Sequence, residues 1–254
     1  MENRRLLIEP KRLRLVQSSN NNLKLLQSEN HYIRRVLRLK VNDEVDLIDG
    51  IGNLWKANLV ENNFIKLQTN IDEPFESKGS SKPLICLAVV LPKRGFDEML
   101  RMTCEIGVDI IQPLKSNRSN FFSPEPRDRW ENIIKESIEL SERLWKPSLL
   151  ETIDINQFFL NKPKNSTIAM ALTRNNCLKT INAWVDDIKE KKSQIWIFIG
   201  PEGGWTQDEI YAAQQSGLEF VQLGESILRT STACVVAIQS INSSIKSNER
   251  INNN

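Results

Sequence analysis

Two stretches in the carboxyl-terminal part of the chain carry residue types that could hold a small ligand. In the first, the apolar run Ile195-Trp196-Ile197-Phe198-Ile199 leads into Gly200-Pro201-Glu202-Gly203-Gly204-Trp205. The second is Leu223-Gly224-Glu225-Ser226-Ile227-Leu228-Arg229-Thr230. Gly200, Gly203 and Gly204 permit φ > 0 and leave no Cβ in the way of a ligand, and Pro201 stiffens the turn. Neither stretch has the Gly-Lys-Ser/Thr ending of a Walker loop, and the first does not match G-x-G-x-x-G. A neutral, backbone-lined pocket suits an adenosine-like group better than a triphosphate. The competing reading is a pair of ordinary strand-to-helix turns. Two such loops closing the same half of a sheet favour the ligand site.

Those loops need elements to hold them. Residues 195–199 are continuous, β-branched and aromatic, the pattern of a buried strand. Thr206 is placed to cap a helix, with Glu209 three residues on to complete a capping box. Phe220, Val221 and Leu223 predict a second short strand. Thr230 is the expected N-cap of a last helix, whose apolar stripe is Cys234, Ala237, Ile238, Ile241 and Ile245. Upstream, strands over 84–91, 108–114 and 167–172 alternate with helices. One helix presents Phe96, Met99, Leu100, Thr103 and Cys104 on one face and ends at Gly107 as its C′ residue. The next has Trp130, Ile133, Ile134, Ser137, Ile138 and Ser141 as its inward stripe. This alternation predicts an α/β domain with a parallel sheet covered on both faces.

Residues 1–70 read differently. A helix over 30–39 is expected to bury Ile33, Val36 and Leu37 and to expose Arg34, Arg35 and Arg38. Short strands over 45–48, 54–60 and 64–67 with tight turns predict a small barrel or sandwich. Residues 71–83 are polar and aperiodic, the pattern of a linker. The α/β domain then spans 84–246, and 247–254 is a polar tail. Ten Lys/Arg against three Glu give residues 1–40 a local charge of +7, in a chain whose total is +2. Such an arm fits a polyanion, most simply nucleic acid, or equally a solvated basic face.

The 254 residues, 40% hydrophobic and 26% charged, are those of a soluble globular protein. No stretch approaches the roughly 20 apolar residues that span a bilayer, and the amino terminus lacks the pattern of a signal peptide. A cytoplasmic location is expected. The cysteines Cys86, Cys104, Cys177 and Cys234 form no C-x-x-C pair and read as buried free thiols. His31 is the only histidine, which speaks against a multi-histidine metal site and a Ser-His-Asp triad. It reads as a surface or capping residue, and no metal is expected.

Taken together, Ile199-Gly200-Pro201-Glu202-Gly203-Gly204 and Leu223-Gly224-x-x-Ile227-Leu228-Arg229-Thr230 resemble the 16S ribosomal RNA (uracil-N3) methyltransferase family, a branch of the knotted SPOUT methyltransferases. His31-Tyr32-Ile33-Arg34-Arg35-Val36-Leu37-Arg38 resembles that family's amino-terminal motif. Glu105-Ile106-Gly107-Val108 resembles its Glu-Leu-Gly-Val stretch, and Asn117-Arg118 part of its Ser-Glu-Arg. The resemblance covers nearly the whole chain in order. It implies a PUA-like β-barrel that binds RNA, followed by a trefoil-knotted parallel-sheet catalytic domain. It also implies S-adenosyl-L-methionine as cofactor, a homodimer, and N3 of one uridine of 16S ribosomal RNA in the small subunit as target. Members often have Pro-Arg where this chain has Glu225-Ser226.

On that basis the expected cofactor contacts are Leu172, Gly200, Pro201, Glu202, Gly203, Leu223, Gly224, Ile227 and Leu228, largely through backbone. Arg34, Arg35 and Arg38 are the expected RNA contacts. Methyl transfer from a sulfonium is an in-line displacement, and most of the catalysis can come from positioning. Uracil N3 must lose its proton, and the charge spreads onto O2 and O4. A guanidinium there would stabilise the anion. Arg229 is the first catalytic candidate, with a salt bridge to Glu202 as its structural alternative. Arg118 is the second, with a phosphate contact as its alternative. Glu202 is a conceivable base. Two other functions stay open: a non-catalytic RNA-binding or ribosome-assembly module on the same scaffold, and a transferase that uses an adenine nucleotide. The apolar stripe of the last helix is the expected dimer surface, unless it packs on its own sheet.

Overall fold

In the computed structural model, residues 4–80, 83–119, 125–173, 178–188 and 193–252 are described. The chain forms two compact units, Met1–Ser80 with Lys135–Lys146, and Ser81–Ile134 with Pro147–Asn254.

The first unit contains β1 (Arg5–Leu7), α1 (Pro10–Leu13), β2 (Asn22–Lys24), α2 (Gln27–His31), β3 (Glu44–Ile48), β4 (Asn53–Leu59), β5 (Phe64–Leu67) and β6 (Glu76–Ser77). Its sheet runs β1-β3-β4-β5-β2, with β6 against β4. All pairs are antiparallel except β1 with β3. β6 thus lies inside the stretch read as a linker. α2 runs into a π-helical turn at Tyr32–Val36, marked by the Leu37 amide donating to the Tyr32 carbonyl at 2.9 Å. The wider turn rotates the following residues by an extra position. Val36, expected inside, is therefore 58% exposed, while Ile33 is fully buried. Arg34 is half-buried, and Arg35 and Arg38 are exposed.

Residues Lys135–Lys146 complete this unit. Ile138 and Leu144 pack with Leu7, Ile48 and Leu54, and the Trp145 indole N–H donates to the Lys78 carbonyl at 2.8 Å. Glu139 is only 4% exposed. Its Oε1 accepts the Leu7 amide at 2.8 Å.

The second unit contains β7 (Leu84–Val90), α3 (Phe96–Ile106), β8 (Ile110–Lys115), the first turns of α4 (Arg127–Leu140), β9 (Ser148–Leu149), β10 (Ile153–Asp154) and α5 (Ile155–Leu160). β11 (Ser166–Ala171), β12 (Lys179–Thr180), α6 (Ile181–Asp186), β13 (Gln194–Ile199), α7 (Gln207–Gln215), β14 (Glu219–Gln222) and α8 (Thr230–Asn252) follow. The sheet order is β10-β8-β7-β13-β11-β14-β12, with β9 beside β8, and every pairing is parallel. Side chains of a strand alternate between faces. Ile85, Leu87, Val89, Ile195, Ile197 and Ile199 join one core with residues of α3, α6 and α8. Cys86, Ala88, Val90, Trp196 and Phe198 join another with residues of α5 and α7. Both faces are covered, which is why these strands read as unbroken apolar runs.

Cys234, Ala237, Ile238 and Ile241 of α8 are fully buried in the first of these cores. The stripe expected as a dimer surface is therefore covered by the chain's own sheet. Gly107 closes α3 at φ 107, as expected. Among the described residues no helix is long and apolar enough to cross a membrane.

Burial pushes the Glu139 carboxyl up to about 7, aided by the nearby charges of Glu136 and Glu29 and opposed by the Leu7 amide and Lys135. From the ordinary carboxylate range up to about 7, the unfolded chain gives up this proton while the folded unit keeps it. Stability is therefore lost as pH rises through that window. Glu139→Gln removes the titration. In urea unfolding at a series of pH values, the variant should gain on the wild type between pH 4.5 and pH 7, by up to about 3 kcal/mol. A constant difference across the window would show that Glu139 is ionised in the fold.

Candidate active site

A parallel sheet delivers the carboxyl ends of all its strands to one edge. Its register sets Met170 against Phe198 and Ala171 against Val221. The next residues along β13, β11 and β14 begin the loops. The Leu172 amide continues the ladder by donating to the Val221 carbonyl at 2.9 Å. The two glycine loops thus emerge on either side of β11. They are joined directly, because the Thr230 hydroxyl donates to the Gly200 carbonyl at 3.1 Å. Thr230, expected as an N-cap, is the first residue of α8, and its side chain serves this bridge.

The loop over 200–206 is braced from several elements. The Trp205 indole lies against Gly200, where a Cβ would meet its ring at 2.9 Å. The indole N–H donates to the Ala171 carbonyl at 3.1 Å. Arg118, after β8, donates from Nη1 to the Gly203 carbonyl at 2.7 Å and to the Trp205 carbonyl at 3.4 Å. Glu202 accepts the Lys93 amide at 3.1 Å, which ties the loop to the segment after β7. The Thr206–Glu209 capping box forms as read from the sequence. Glu209 does more than cap. It is 3% exposed, one oxygen accepts the Thr206 amide at 2.7 Å, and the other accepts the Asn117 amide at 2.9 Å. Of Gly200, Gly203 and Gly204, only Gly204 has positive φ, at 68°. Gly200 is needed for the close approach of the indole.

The second loop is less tied. The backbone groups of Leu223, Gly224, Ile227 and Leu228 make no backbone hydrogen bond outside strands and helices among the described residues. Leu223 and Leu228 are half-buried against the core, and Ile227 is 62% exposed. Arg229 is exposed. Its guanidinium has no ion pair among the described residues, so the alternative bridge to Glu202 does not form.

The structure therefore brings Leu172, Gly200, Pro201, Glu202, Gly203, Leu223, Gly224, Ile227, Leu228, Arg229 and Arg118 to one edge of one sheet. Arg34, Arg35 and Arg38 belong to the other unit. Sequence reasoning missed the roles of Trp205, Thr230 and Glu209 in holding the loop. A tryptophan beside a glycine pair was the available signal, since its buried N–H needs an acceptor.

Other chemistry finds little support. Cys86, Cys104 and Cys234 are free and buried, and burial pushes the Cys86 and Cys234 thiols up, away from the reactive thiolate. Cys177 lies outside the described residues. Among the described residues no cluster of His, Cys, Asp and Glu could hold a metal ion. A cavity of about 400 Å³ opens at the opposite edge, near Lys162, Asn165, Ser166, Gly217 and Glu219.

The RNA methyltransferase domain model matches residues 80–242, and the RNA methyltransferase PUA domain model matches residues 28–72. Fold and site together define an RNA methyltransferase of the SPOUT class with an amino-terminal PUA domain. The ribosomal RNA small subunit methyltransferase E of Synechocystis is 33% identical over 229 residues, 88% of this chain and 73% of that protein. The protein of the same name from Rickettsia conorii is 31% identical over 83% of this chain and 85% of its own. A crystal structure of the Neisseria gonorrhoeae enzyme of that name, bound to S-adenosyl methionine, matches with a TM-score of 0.79 and 26% identity, covering 95% and 98% of the two chains. This chain belongs to the ribosomal RNA small subunit methyltransferase E family.

Gly200→Ala tests the packing of the loop. The added methyl meets the indole ring at 2.9 Å and should cost roughly 1–3 kcal/mol in urea unfolding. An unchanged midpoint would mean that Trp205 yields at no cost.

Proposed function

We propose that this chain transfers a methyl group from S-adenosylmethionine to N3 of a specific uridine in 16S ribosomal RNA of the small subunit. One observation carries the reading. Three neighbouring strand ends place two glycine loops side by side, joined by the Thr230–Gly200 hydrogen bond, with exposed Arg229, which has no ion pair among the described residues, at the end of the second loop.

The residues fit the cofactor. Backbone N–H and C=O groups at the edge of a core need partners, and those of Leu223, Gly224, Ile227 and Leu228, which make no backbone hydrogen bond outside strands and helices among the described residues, can take them from a ligand. They match the amino group, ring nitrogens and hydroxyls of an adenosine. Leu172, Gly200, Pro201, Glu202 and Gly203 supply the facing wall. The bound cofactor supplies an electrophilic methyl on a sulfonium. The chain supplies alignment and charge. Arg229 sits where a guanidinium can stabilise negative charge on uracil O2 and O4 as N3 loses its proton to solvent. Arg118 is a positioning residue, since its guanidinium holds the carbonyls of the first loop. Glu202 likewise holds the Lys93 amide, which argues against a base role.

The target base must leave any stack to reach the site. Arg34, Arg35 and Arg38 contact phosphates and set position. None of the three has an ion-pair partner among the described residues. The protein works in the cytoplasm as a homodimer, and sedimentation equilibrium tests the dimer. A non-catalytic module on this scaffold would bind RNA without the cofactor, and calorimetry with S-adenosylmethionine separates the two.

Arg229→Ala should keep cofactor affinity by calorimetry and lose about 10²-fold or more in methyl transfer to 16S ribosomal RNA. Unchanged turnover would remove Arg229 from the mechanism. Mass spectrometry of the product should place the methyl on N3 of a single uridine. Arg34→Ala/Arg35→Ala/Arg38→Ala should weaken RNA binding and lower the slope of log affinity against log salt by about 2 to 3. An unchanged slope would mean that these side chains touch no phosphate.

A further inference from the structure

In the catalytic unit, most cations have partners. Arg101 pairs with Glu98 and Glu105, Arg129 with Asp97, Arg127 with Glu125 and Glu151, and Lys179 with Asp187. Among the described residues of this unit, Lys93, Arg94, Lys164, Arg229 and Lys246 have side chains with no ion pair or hydrogen bond. Three of these five, Lys93, Arg94 and Arg229, lie at the carboxyl edge of the sheet, in the loops after β7 and β14. Of the acids in these segments, Glu202 accepts the Lys93 amide, Asp97 and Glu98 pair with Arg129 and Arg101, and Glu225 is exposed.

Lys93 and Arg94 are exposed, and Glu202 fixes the loop that carries them to the first glycine loop. They flank the site on the β7 side, and Arg229 precedes Thr230, whose hydroxyl bonds the Gly200 carbonyl at the end of β13, the neighbour of β7. Three unpaired cations among the described residues thus gather around the first glycine loop. The pattern fits a polyanion lying across the edge.

The geometry points to Lys93 and Arg94 as a phosphate-binding grip of the catalytic unit itself, separate from the barrel arginines. It holds the substrate RNA strand on the β7 side of the target base. Glu202 positions it through the Lys93 amide. This inference rests on the RNA methyltransferase reading above.

The test uses the full chain and unmodified 16S ribosomal RNA, with affinity measured from about 50 to about 200 mM salt. Lys93→Gln/Arg94→Gln should lower the slope of log affinity against log salt by about 1.4, the value for two single-strand phosphate contacts. Calorimetry should show unchanged S-adenosylmethionine affinity. Lys164→Gln/Lys246→Gln, which neutralises unpaired cations elsewhere, should leave the slope as in the wild type. The grip is overturned if the first pair leaves the slope unchanged, or if the second pair lowers it equally. Wild-type protein that methylates the RNA while the slope of the first pair stays put refutes the grip alone. Wild-type protein that neither binds nor methylates the RNA refutes the parent reading with it.

Discussion

The register of three parallel strands is the constraint on which the rest depends. β13, β11 and β14 end side by side because Met170 faces Phe198 and Ala171 faces Val221. A slip of one residue in β14 would turn Val221 out of the core it shares with Ala169 and Ile197. It would also drag the second loop away from Gly200. Burial of apolar side chains on both faces thus sets the relative height of two loops whose own residues are polar or small. The Thr230–Gly200 hydrogen bond then records that height. It forms only if both strands end where the core requires.

The first loop illustrates how polar groups make a glycine-bearing turn rigid. Trp205, Arg118, Glu202, Thr230 and Glu209 each contribute a hydrogen bond to it or from it, and each such bond contributes on the order of 1 kcal/mol net. Together they hold the loop from β11, the β8 loop, the β7 loop and α8. A site held this way needs little rearrangement when a ligand arrives, which is where affinity and alignment are gained. Exposed Arg229 is the contrasting case. It stands at the rim, and its side chain has no ion pair or hydrogen bond among the described residues.

Much of this was legible in the sequence, for identifiable reasons. The unbroken apolar runs at 84–91 and 195–199 encode a doubly covered parallel sheet, and the sheet has that form. The Thr206–Glu209 capping box is local, so spacing alone reveals it. Gly107 reads as a helix end and adopts the required positive φ. The failures are contacts between residues far apart in the chain. Nothing local to Arg118 says that it meets Gly203. Thr230 read as a cap because its partner, Gly200, is thirty residues away. Val36 was misplaced because a π turn breaks the periodicity on which helix faces are assigned. β1 and β2, at three residues each, are too short to show alternation. The family resemblance supplied the PUA-like barrel and the SPOUT class, which periodicity alone leaves open.

Residues Lys135–Lys146 lie far along the chain from the barrel and yet belong to its unit. Ile138 and Leu144 complete a cluster with Leu7, Ile48 and Leu54, and Glu139 takes the Leu7 amide. The amino-terminal domain is consequently no detachable cassette. A gene fragment ending after residue 80 would encode a sheet with one wall missing and a bare apolar patch in its place. Exon-like shuffling, which moves RNA-binding modules between proteins with a single cut, has no clean place to cut here.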